Sequence, residues 1–105
     1  MNDFILLKSI GEGIAKLRSK YLNAPDSEKD KLLIEIEKLS NEYKKIYQLS
    51  LEKSLIVTDD DVVEMGRLKK EIDNCATGAE ILEAVKNFFL FICGISSNII
   101  SNVKK

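Results

Sequence analysis

The chain has 105 residues, with 16 Lys+Arg against 17 Asp+Glu, no His, no Trp, one Pro and two Cys, which leaves room for a single domain, residues 1–105, built on one core. A net charge of −1 and 45% hydrophobic content describe a foldable chain rather than a disordered tail. Without His there is no imidazole metal ligand, no His-based triad and no near-neutral imidazole acid or base. The expectation is therefore a protein that is not an enzyme, with no catalytic residues, no cofactor and no metal.

At the start of the chain Asp3 precedes the first basic residue and the apolar run Phe4 to Leu7 is cut off by Lys8. That pattern lacks the charged n-region and long h-region of a secretory signal, so the expected location is the cytoplasm. Cys75 and Cys93 stand far apart inside helical patterns, which excludes a Cys-x-x-Cys motif and predicts reduced, buried thiols. The abundance of Lys, Ile and Asn points to an A+T-rich genome, bacterial or phage.

The first periodic stretch places Leu7, Ile10, Ile14, Leu17 and Tyr21 on one stripe of a helix over 3–22. Gly11 and Gly13 weaken it by about 1 kcal/mol each relative to Ala and mark either close packing or a soft point. Pro25 and its neighbours Asn23 to Ser27 then read as a tight turn. A long helix over 27–56 follows, free of Pro and Gly, with Leu32, Leu33, Ile36, Leu39, Tyr43, Ile46, Tyr47 and Leu51 assigned to one apolar side. Its Glu and Lys alternate at helical spacing as a solvated face, and Ser40, Ser50 and Ser54 beside the stripe permit close helix approach.

Thr58 followed by Asp59, Asp60 and Asp61 is a helix start, a cap plus acids at the positive end of the dipole. The consecutive acids lack the alternation and glycine turn of a calcium loop, so they are read as capping, not as a metal site. A third helix over 59–75 carries Val62, Met65, Leu68, Ile72 and Cys75 inward. Thr77-Gly78-Ala79-Glu80 matches a capping box and opens a fourth helix over 78–103. No charged residue occurs from Asn87 to Ser101. Ile81, Val85, Phe88, Phe89, Ile92, Ile95, Ile99 and Val103 still gather on one side, opposite a strip of Glu83, Lys86, Asn87 and Ser97. Amphipathicity favours a bundle helix over a bilayer span.

These elements predict an all-α antiparallel bundle of four helices, with sequential helices paired as hairpins and the core completed by dimerisation where it is open. Leu90 falls inside the polar strip of the last helix, with Phe91 at its edge and Gly94 nearby, so these three are candidate interaction residues. Tyr43 and Tyr47, one turn apart, are the other two. The basic clusters are diluted by acids, and the segment after Gly78 presents Phe, Leu and Ile where a recognition helix presents polar groups, so nucleic acid is a minor alternative. The leading expectation is a protein–protein interaction module, an adaptor, inhibitor, immunity-like or chaperone-like protein acting through apolar helix faces as a homodimer. The first alternative is membrane association through 81–103.

Overall fold

A computed structural model describes residues 2–97 as four helices, α1 (Asn2–Leu22), α2 (Asp26–Leu51), α3 (Asp59–Asp73) and α4 (Gly78–Ser97). The all-helical bundle expected from the sequence is what the chain forms; residues 98–103 of the expected last helix lie outside the described residues. Each junction has a local chemical cause. Pro25 sits at the N-cap of α2 with extended backbone and no side-chain cap, while its carbonyl accepts from the Glu28 amide. Thr58 and Asp61 form a reciprocal capping box at the start of α3. Thr77 and Glu80 form the second, as expected: the Thr77 hydroxyl accepts from the Glu80 amide, and Glu80 Oε1 accepts from the amides of Thr77 and Ala76.

The second helix ends at Leu51, five residues short of the expected Ile56. No glycine announces this stop. Lys53 instead adopts φ 57°, the Ser54 amide reaches back to the Leu49 carbonyl and the Lys53 amide to that of Ser50. That is a Schellman ending with lysine in the left-handed position usually held by glycine. The third helix likewise ends at Asp73 rather than Cys75, its terminal carbonyls bonded by the Asn74 amide.

The helices run as two antiparallel hairpins, α1/α2 and α3/α4, laid side by side. Asn2 bonds Asp59, Lys69 bonds Glu12 and Lys16 bonds Asp73, all at one sequence offset of 57, so α1 and α3 are parallel neighbours. α2 and α4 are parallel too: Gly78 lies against Glu28 at one end and Ser96 donates to Glu42 further along. The expected hairpin between α2 and α3 does not form. These consecutive helices are diagonal and their backbones do not pack together, because residues 52–58 cross the end of the bundle with Ser54 buried and Leu55 and Val57 packed against the core.

Leu6, Ile10 and Leu17 of α1 meet Ile36 and Ile46 of α2, Met65 and Ile72 of α3, and Phe88 and Ile92 of α4 in one cluster. Full burial of each such side chain stabilises by about 1.5–3 kcal/mol. Gly13 accounts for the diagonal approach of α1 to α4: a Cβ there would stand 2.7 Å from a ring carbon of Phe88 and 3.2 Å from the Met65 methyl. The apolar residues expected on one side of α2 are split. Leu32, Ile36, Leu39 and Ile46 enter the core, whereas Leu33 and Tyr43 are half-buried and Tyr47 and Leu51 are exposed.

Candidate functional site

Tyr43 and Tyr47 are brought to the seam between α1 and α2. Three contacts fix that seam. Arg18 Nη2 donates to Ser40 Oγ at 2.9 Å, Ser50 Oγ donates to Asp3 at 2.9 Å, and the Tyr43 hydroxyl lies over Gly11. The Ser50 bond holds the Asp3 carboxyl below its usual range. Outside these contacts the seam is open. Tyr47 is 50% exposed, Leu51 61% and Phe4 69%; helical spacing puts Leu51 one turn from Tyr47, and the Asp3–Ser50 bond brings the chain neighbours Phe4 and Leu51 to the same end of the seam. The two serines expected merely to permit close approach are bonded across the seam.

Leu90, Phe91 and Gly94 belong to α4 and lie on a different side of the bundle, because α4 is diagonal to α1. Leu90 is 69% exposed, and space around Gly94 is empty to 4 Å. Phe91 differs from both: it is half-buried and packs against the core cluster. The five candidate residues therefore form two separate surfaces and not one site.

A third feature is the cleft of about 540 Å³ along the outside of α3 and α4, lined by Arg67, Lys70, Glu71, Asn74, Glu80 and Glu83 with Cys75 at its floor. Asn87 donates to Glu71 Oε2 at 3.2 Å, while Glu71 Oε1 is buried without a partner. Arg67 pairs with Glu64 at 2.6 Å, which lowers the carboxyl and raises the guanidinium. Cys75 donates to the carbonyls of Glu71 and Glu80, and burial pushes its thiol above the ordinary value, as it does for Cys93. Both cysteines are free thiols, Cys75 buried as expected and Cys93 only half-buried. Neither has the depressed pKa of a reactive nucleophile. The lining mixes cations and carboxylates, with Arg67 already paired to Glu64 within its own helix.

Among the described residues no group of three or more Cys, Asp or Glu is placed to hold a metal ion, and no helix is long and apolar enough to cross a membrane. Asp59, Asp60 and Asp61 sit in the first turn of α3, where Asp61 closes the capping box. Phe4 and Leu51 were not among the sequence candidates. Phe4 sits in the short apolar run before Lys8, and Leu51 had been assigned to the core stripe of α2. The signal that separates Phe4 from the core is the spacing of Phe4, Lys8, Gly11, Ala15, Arg18 and Leu22, a line about 140° from the core residues Leu6, Ile10 and Leu17. No family model matches the chain, and no curated protein or solved structure is significantly similar to it.

Proposed function

We propose that the chain is a small protein–protein interaction module, a binding protein rather than an enzyme, that presents apolar helix faces to another protein. The observation that carries this reading is the outward placement of Phe4, Tyr47, Leu51 and Leu90 on a bundle whose core is already filled by other residues. Large apolar side chains grouped on exposed helix faces mark interaction surfaces, and covering each one is worth about 1.5–3 kcal/mol before the cost of association. Self-association belongs to the α4 surface, because the chain is uncharged from Asn87 to Ser97 and a second copy meets no like charge there.

The test uses the tagged full chain in cells of its source, with capture of bound proteins compared between wild type, Phe4→Asp with Leu51→Asp, and Leu90→Asp. The expected result is a defined set of proteins on the wild type that is lost from the variant of the surface that binds it. An identical set on all three would overturn the reading. Sedimentation equilibrium in detergent-free buffer reads the second part: a dimer that Leu90→Asp converts to monomer supports it, and a wild-type monomer removes self-association from the proposal.

A further inference from the structure

We draw no further inference here: the strongest candidate, the cleft along the outside of α3 and α4 with Cys75 at its floor, carries nothing, because Glu71, Glu80 and Glu83 stand beside Arg67 and Lys70 in its lining and select no ligand of either charge, and the unpartnered Glu71 Oε1 is buried out of a ligand's reach.

Discussion

Gly11 and Gly13 stand two residues apart on α1 and meet opposite surroundings. At Gly13 the missing side chain is the space that Phe88 occupies, so α1 and α4 approach across the diagonal of the bundle. At Gly11 an added Cβ would make ordinary contact at 3.4 Å with the Tyr43 hydroxyl, the far end of a flexible side chain beside the open α1/α2 groove. The same residue type thus does two jobs on one helix: one glycine is required by the core, and the other keeps the floor of a surface groove low. Stability concentrates where four helices interlock, and the exposed apolar groups are held on the outside of that rigid frame.

The contrast breaks if the core contact is not the one that matters. Phe88→Ala removes a fully buried ring and is expected to cost about 3–5 kcal/mol, a large share of the about 5–15 kcal/mol that holds a domain together. Gly13→Val forces two methyl groups toward the same ring and is expected to cost about 1–3 kcal/mol or more. Urea unfolding followed by circular dichroism measures both. Wild-type stability in either variant would show that the α1/α4 approach is slack. A smaller contrast divides neighbours on α4. Phe91→Asp places a charge against the core and is expected to cost about 2 kcal/mol or more, whereas Leu90→Asp is expected to stay within about 0.5 kcal/mol. An equal loss in both variants would return Leu90 to the core, and no loss in either would take Phe91 out of it.

Much of this architecture could be read in the residues themselves. The four helices followed from periodicity, and Thr77 and Glu80 announced their capping box by type and spacing. Three things were hidden. The end of α2 carries no glycine, because Lys53 takes the left-handed position at its own conformational cost. The neighbour relations of the helices depend on the path of residues 52–58, and a short connection looks the same whether it closes a hairpin or crosses a diagonal. The α2 stripe was too broad to divide by hydrophobicity alone: Ile46 and Tyr47 are adjacent and both apolar in pattern, yet one is buried and the other is half exposed. Of the candidate surfaces, Leu90 was legible because it breaks a polar strip. Phe4 and Leu51 were not, because each stands in a run of apolar residues.

The caps sharpen the comparison at the helix ends. Thr77→Ala leaves the Glu80 amide without its acceptor and is expected to cost about 1 kcal/mol, read as a lower thermal midpoint. Three contacts hold the Glu80 carboxyl below its ordinary value of 4.5, led by the Ala76 amide and followed by those of Thr77. A depressed carboxyl favours the folded state above that value, and the contribution fades as the pH falls through the lowered one. Glu80→Gln should therefore flatten the fall in thermal midpoint below about pH 4.5 while changing little between pH 6 and 8. A parallel offset at every pH would assign the effect to shape rather than charge. Lys53→Gly is expected to raise stability by about 0.5–1 kcal/mol, since glycine adopts the left-handed backbone without a Cβ conflict. A loss instead would mean that the lysine side chain holds the crossing segment in place.

The smallest effect is the most direct probe of the groove. Gly11→Ala relieves the helix-interior cost of glycine and meets only the movable Tyr43 hydroxyl, so a gain of up to about 1 kcal/mol is expected. Its midpoint should rise while that of Gly13→Ala falls, because the second methyl group has the Phe88 ring 2.7 Å away. Opposite signs for one substitution made two residues apart would show that α1 separates a filled interior from an unfilled surface. A fall at both positions would mean that the groove floor is as tightly packed as the core.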